Sequence, residues 1–423
     1  MHADTKPLAA ARDQLAEHLE NGIIPFWMSR GIDAELGGYL TCFDAEGRPT
    51  ADTDKSIVTQ TRMIWGLSAF HRRYPDHPDL RLAARQGVDF FLDHFWDRAH
   101  GGWHWRTNRA GRTLDDGKVI YGQSFAIYAL AEYTLATGDD RGLDYASRTF
   151  DLLQKHAADT LHGGYYENLE RDWSISAPGF AAGDRKSLDI HMHLLEAFTT
   201  LATASGEEIH RRKLREVAGV ILARMVSPTS GCGLNQFGID FTPRPAIAIR
   251  RTWNADRKAG EAIAQPMDTT SYGHNLELAW LLHRAAEPLG ESPSMFHAAT
   301  RRLAEHALQY GLDPEHGGVY RDGPHTGPAL VRDKEWWQNS EALVGWLDAY
   351  EQFADPRFAA AFLGNWEFDR KFFIHPQLGE WRQLLARDGS VLVGDLGNPW
   401  KACYHSGRSV LECVERLDRL LAR

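Results

Sequence analysis

Two helical patterns alternate along the chain. IYGQSFAIYALAEYTLATGDD, from Ile120, is apolar on nearly every side, which predicts a helix buried on most of its faces. LDYASRTFDLLQKH, from Leu143, carries one apolar stripe of Ala146, Phe150 and Leu153 with charges opposite, which predicts a helix lying outside the first. The preceding stretch repeats the pair: QTRMIWGLSAFHRRY, then LRLAARQGVDFFLDHFW with its stripe of Ala84, Val88, Phe91 and Phe95. Further inner candidates begin near Ser187, Ser271, Glu335 and His405, and a first outer helix is expected over residues 7–27.

Glycine punctuates this alternation. GGYL starts at Gly37, GGWHW at Gly101, GGYYE at Gly163, GCGLN at Gly231, GGVYR at Gly317, and LGEWR surrounds Gly379, so the spacing is 62 to 68 residues except for one interval of 86. A near-constant period signals a repeat fold. Six helix pairs that each need a neighbour predict an all-α ring, an (α/α)6 barrel of six inner and six outer helices with short β-hairpin loops at one end. It is expected to occupy residues 1–423 as a single catalytic domain. An open solenoid is the alternative, but it should carry atypical capping repeats, and the last inner segment is as polar at its start as the others.

Composition narrows the partners. A chain of 423 residues exceeds the size at which one ordinary core stops growing, which favours a repeat architecture or two domains. A net charge of −10 argues against nucleic acid or an anionic membrane surface. Four cysteines without a C-x-x-C read as reduced thiols of a cytoplasmic protein. The N-terminal stretch lacks an apolar signal core, and no run of about 18 apolar residues exists to span a membrane. A monomer or homodimer is expected.

The unusual residues collect at the starts of the inner helices, which would ring one mouth. They are Arg62, Tyr121, Asp189 with His193, His274 with Glu277, Trp336 and Trp337 with Glu341, and Trp400, Tyr404, His405 and Arg408. Asp189 and His193 share a helix face at four apart, as do Trp337 and Glu341; His274 and Glu277, and His405 and Arg408, do so at three. His191 cannot join His193, so it is assigned to packing or a backbone hydrogen bond. Of Trp336 and Trp337, one is expected in the core and one at the cavity. Without H-E-x-x-H or a shared face for His191 and His193, no metal is expected, and without a phosphate-binding glycine loop, no nucleotide cofactor. Indole faces in a polar pocket suit sugars. Imidazoles on opposite walls could take and return one proton at neutral pH, with arginine and a third histidine stabilising an oxyanion. That equipment suits proton abstraction α to a carbonyl.

YGQSFAIYAL, DIHMHLLEAF, SYGHNLE, EWWQNSEAL and especially WKACYHSGR resemble the N-acylglucosamine 2-epimerase superfamily over essentially the whole chain, with the last motif most similar to its cellobiose 2-epimerase and mannose 2-epimerase branch. The resemblance implies an (α/α)6 barrel and a carbohydrate 2-epimerase acting on an aldose, or on the reducing-end glucose or mannose of a disaccharide, through a cis-enediolate. It implies that His274 and His405 are the acid/base pair at C2, that His193 and Arg62 hold the oxyanion, and that Glu277 orients His274. Tyr121, Asp189, Trp337, Trp400, Glu341 and Arg408 would bind the sugar. The family usually has Asn where this chain has Asp189. A carboxylate only accepts hydrogen bonds and should raise the pKa of a nearby His193. The long 231–270 segment would lie over the mouth.

Three other functions compete. An aldose–ketose isomerase of the mannose-to-fructose type would return the proton to C1. A glycoside hydrolase would need paired carboxylates, with Asp189, Asp268 and Glu341 as candidates. A sugar-binding protein would leave three convergent histidines unexplained.

Overall fold

The structure is a computed structural model that describes residues 6–245, 247, 249–251 and 269–422. The inner helices are α3 (Ile57–Arg73), α5 (Ile120–Thr137), α7 (Leu188–Ser205), α9 (Tyr272–Ala286), α11 (Trp336–Phe353) and α13 (Tyr404–Leu421). Between them come the outer helices α4 (Pro78–His94), α6 (Asp140–Leu152), α8 (Glu208–Val220), α10 (His297–His306) and α12 (Pro356–Phe368). The first outer helix is α1 (Lys6–His18) and α2 (Ile24–Arg30) joined through a wide π turn, Leu19–Ile23. It starts where the sequence places it and runs one turn further.

Each inner helix packs on the next, and α13 packs back on α3. The ring of six inner and six outer helices among the described residues therefore closes, and the solenoid alternative falls. In α5, Ile120 to Tyr133 are buried without a break, which is why that segment has no polar face to offer. The outer stripes face inward as expected: Ala84, Val88, Phe91 and Phe95 are buried, as are Ala146, Phe150 and Leu153. Gly66 lets α3 approach the start of α13 closely, since a Cβ there would meet the sulfur of Cys403, the residue that caps α13. No described helix is long and apolar enough to cross a membrane. The four cysteines are buried and form no disulfide with one another.

Every glycine-rich segment is a hairpin tip, closed by a single bridge such as Ile32↔Tyr39 or Trp96↔Trp103. In four of the six, an acidic residue four before the first glycine caps the turn and receives a lysine that lies just ahead of the inner helix. Lys55 reaches Asp33 at 3.0 Å, Lys118 Asp97 at 3.0 Å, Lys186 Asp159 at 2.7 Å and Lys334 Asp313 at 3.1 Å. In the sixth repeat Lys401 pairs instead with Glu380 at 2.7 Å. These lysines are wholly buried, so each acts as a strut between a hairpin and the helix start it feeds.

A second device fixes the same join. Gln60, Gln123 and Asn339 on the inner helices accept from the backbone N–H just past the glycines, that of Tyr39, Trp103 and Val319, and donate back to the same residue's carbonyl. His191 is the third repeat's version: its Nε2 accepts from Tyr165 N at 3.1 Å. The second glycine must be small because the polar group lies beneath it; a Cβ on Gly164 would sit 2.5 Å from His191 Nε2.

Candidate active site

The helix starts and hairpins carry the polar residues to one mouth. Within it the contacts run in a continuous circuit. Arg62 on α3 donates from Nη2 to Tyr121 Oη at 2.8 Å and from Nη1 to the Trp400 carbonyl. The Tyr121 ring meets His193 at 4.9 Å and Trp400 at 5.4 Å. His193 Nε2 lies 3.2 Å from Asp189 Oδ1, and His274 Nε2 lies 3.6 Å from the same oxygen. The His274 ring packs on Trp337 at 4.5 Å, and Trp337 on His405 at 5.9 Å. Imidazoles from α7, α9 and α13 thus line one hollow. Asp189 and His274 keep 33% and 19% side-chain exposure. Trp400 is half-buried, with Trp105 packed 5.8 Å away. Trp336 is core and Trp337 borders the hollow.

One helical turn beneath these residues lies a second layer of ionisable groups closed to solvent. His193 Nδ1 pairs with Glu196 Oε2 at 3.1 Å, and His405 Nδ1 with Glu341 Oε1 at 2.8 Å. Arg408, with no exposed surface, bonds Glu196, Glu277 at 2.5 Å and Glu341 at 2.7 Å. This corrects the placement of Glu341 and Arg408 against the sugar: both are shut off behind His405. Glu277, expected beneath His274 as its partner, turns to Arg408 instead. Glu196 went unseen in the sequence, although His193-x-x-Glu196 repeats the spacing of His274-x-x-Glu277. Asp268 lies outside the described residues, as do residues 246, 248 and 252–267 of the 231–270 segment expected over the mouth.

These surroundings charge the histidines differently. Burial opposes a charge on His193, but Asp189 and Glu196 outweigh it and push its pKa up to about 9, so it is an imidazolium at neutral pH. Burial, reinforced by Arg62 and Arg408, holds His405 well below the usual histidine range. Burial also pushes Glu341 up to about 8, against the pull of Arg408. Arg408 and the Trp280 indole N–H donate to Glu341 and favour its ionised form, which accepts from Nδ1 of His405 and leaves the Nε2 lone pair free. Asp189 stays ionised: burial resists, and His193 and His274 overcome it. Glu277, Glu341 and His405 offer donor atoms within 4.8 Å of one another, as a cation would require. The Arg408 guanidinium already bonds both carboxylates.

In WKACYHSGR every polar group has a partner or a surface. Trp400 borders the mouth, Lys401 is a strut, Tyr404 bonds Glu196, His405 faces the hollow, Ser406 donates to Glu380 and Arg408 anchors the lower layer.

A family model for N-acylglucosamine 2-epimerase matches residues 38–408. The chain is 29% identical over 410 residues to a cellobiose 2-epimerase of Bacteroides fragilis, covering 95% of this chain and 98% of that one. It is 27% identical over 431 residues to the N-acylglucosamine 2-epimerase of Bos taurus, covering 100% and 95%. The structure of a cellobiose 2-epimerase from Spirochaeta thermophila is similar with a TM-score of 0.87 at 30% identity, covering 99% of this chain and all of that one. A D-mannose isomerase shares the fold with a TM-score of 0.81 at 20% identity, covering 95% and 97%. With a family match across most of its length and a shared ring of helices, the chain belongs to the N-acylglucosamine 2-epimerase family.

Proposed function

We propose that this chain is a carbohydrate 2-epimerase that inverts C2 of an aldose, or of the reducing-end sugar of a disaccharide such as cellobiose, with the roles distributed as follows. His405, neutral with Nε2 unprotonated, removes the C2 proton of one epimer. The C2–H electron pair forms the C1=C2 bond and the carbonyl oxygen takes the negative charge. The His193 imidazolium and the Arg62 guanidinium stabilise that enediolate, Arg62 being aimed by Tyr121 and the Trp400 carbonyl. His274, across the Trp337 indole from His405, returns a proton to the opposite face. In the reverse direction the two exchange roles. Tyr121 and Asp189 take hydroxyl hydrogen bonds, and Trp337 and Trp400 cover the apolar ring face.

The observation that carries this reading is the convergence of three imidazoles on one hollow, with His193 held as the imidazolium and His405 held neutral. Against a hydrolase reading, two of its three candidate carboxylates, Asp189 and Glu341, are each engaged by histidine; the third, Asp268, lies outside the described residues. The test is NMR of mannose, glucose, cellobiose and N-acetylglucosamine incubated with the protein in D2O. The expected product is the C2 epimer carrying deuterium at C2. A ketose would make the chain an isomerase, and a released monosaccharide would make it a hydrolase.

A further inference from the structure

We propose that Glu196 and Arg408 are positioning residues for this reaction: one buried network, Glu196–Arg408–Glu341, holds Nδ1 of both His193 and His405 and so turns Nε2 of each toward the sugar. The proposal rests on the epimerase reading above.

Arg408 cannot touch substrate, because its side chain has no exposed surface. Its guanidinium lies 4.9 Å from the Trp280 ring and 4.2 Å from the Tyr404 ring, which fix its plane. One terminal nitrogen bonds Glu196 of α7, and the other bonds Glu277 of α9 and Glu341 of α11. Tyr404 Oη donates to both oxygens of Glu196, at 2.7 and 2.8 Å. A single planar fork therefore links the carboxylate under His193 to the carboxylate under His405. Three carboxylates this close would repel and take up protons without a cation among them. A protonated carboxyl could donate to Nδ1 rather than accept from it, and the imidazole would then present an N–H where a lone pair is needed. A lysine supplies the charge but not the fork, so it cannot hold both sides at once. Arg416 also bonds buried carboxylates, and one of them, Asp348, holds Nδ1 of His283, but among the described residues only Arg408 joins the carboxylates beneath two histidines of the mouth.

The test uses Glu196→Gln, Arg408→Lys and Arg408→Met, with steady-state kinetics on the sugar the wild-type protein turns over and 15N-histidine NMR of the same samples. For Glu196→Gln, kcat falls about 100-fold while KM stays within about threefold, the signature of lost organisation rather than lost binding. Arg408→Met falls further, and Arg408→Lys recovers part of the loss. The spectra show hydrogen-bonded Nδ1 protons on His193 and His405 in the wild type, with only that of His193 lost in Glu196→Gln. If Arg408→Met does not fold, Glu196→Gln and the spectra still decide. A Glu196→Gln variant with kcat unchanged, or with the His193 Nδ1 proton retained, overturns the proposal. A wild-type protein that turns over no sugar overturns the epimerase reading instead, and the Nδ1 signals still report on the network.

Discussion

Lys186 and Arg408 are both buried cations paired with carboxylates, yet they belong to arrangements built on opposite rules. The Lys186–Asp159 strut recurs as Lys55–Asp33, Lys118–Asp97 and Lys334–Asp313, with Lys401–Glu380 as a variant. It joins a hairpin to a helix start wherever the repeat needs that joint. The Arg408 network joins three inner helices instead, and two of its carboxylates end on imidazoles of the mouth. In a fold made of copies, recurrence marks scaffold and its interruption marks chemistry. The fourth repeat carries the same lesson in negative. Ser227 stands where four of the other repeats have an acid and Thr270 where all of them have lysine, and Thr270 bonds Asn275 instead. Both charges are missing together, since either alone would be buried without a partner.

The sharpest way to break this division is to remove an imidazole and a strut in parallel. His274→Ala and His405→Ala should each slow exchange of the sugar C2 proton by about 1000-fold or more, the scale of a lost general acid or base. A strut replaced as a whole, Lys334→Met with Asp313→Leu, should keep exchange within about tenfold in protein that folds, because it touches no reacting group. NMR in D2O reads both. Equal loss in the two would erase the distinction.

The next effect is on stability. Asp159→Ala leaves the Lys186 ammonium buried without its partner and should cost about 3–5 kcal/mol in denaturant unfolding. Ser227→Ala, at the corresponding place in the fourth repeat, should cost less than about 1 kcal/mol. The strut also sets an acid limit. Burial alone would raise the Asp159 carboxyl, but Lys186 and two backbone N–H groups bring it down to about 2. Its folded value lies below the unfolded value of about 3.9, so its contribution is complete above pH ~4 and fades as pH falls through 2. Acid unfolding of Asp159→Ala that matched the wild type in midpoint and depth would show that the strut does not bear on the fold.

The helix pairs, the ring and the mouth histidines are legible in the sequence, because each rests on a period: 3.6 residues for a face and about 64 for a repeat. What the sequence hides is depth. Residues three or four apart on an inner helix share a face, but they are stacked along its axis, one turn of about 5.4 Å apart. His193, His274, Trp337 and His405 meet the hollow, whereas Glu196, Glu277, Glu341 and Arg408 lie a turn lower and are sealed. Spacing therefore brings Arg408 and Glu341 to the correct face and leaves open whether sugar can reach them. The role of His191 was readable by another route, from its register with Gln60, Gln123 and Asn339 at the fourth position of their helices.

The smallest expected effect separates the two carboxylates that flank His193. Glu196 holds it from beneath and belongs to the sealed layer; Asp189 holds it from the mouth and is a third exposed. Asp189 contributes to raising the His193 pKa to about 9, both by its hydrogen bond and by its charge. In wild-type protein the alkaline limb of kcat/KM should therefore fall near pH 9, as the imidazolium that stabilises the oxyanion is lost. Asp189→Asn removes one of the two raising carboxylates and should move that limb down by about one unit. Stability shifts with the same sign. A folded pKa above the unfolded value of about 6.5 stabilises fully below pH ~6.5, and that gain is lost as pH rises through 9. The Asn variant should thus trail the wild type near pH 6 and approach it above pH ~9. A limb that stays near 9 in Asp189→Asn would leave Glu196 as the group that charges His193, and the mouth carboxylate would then be a hydroxyl ligand alone.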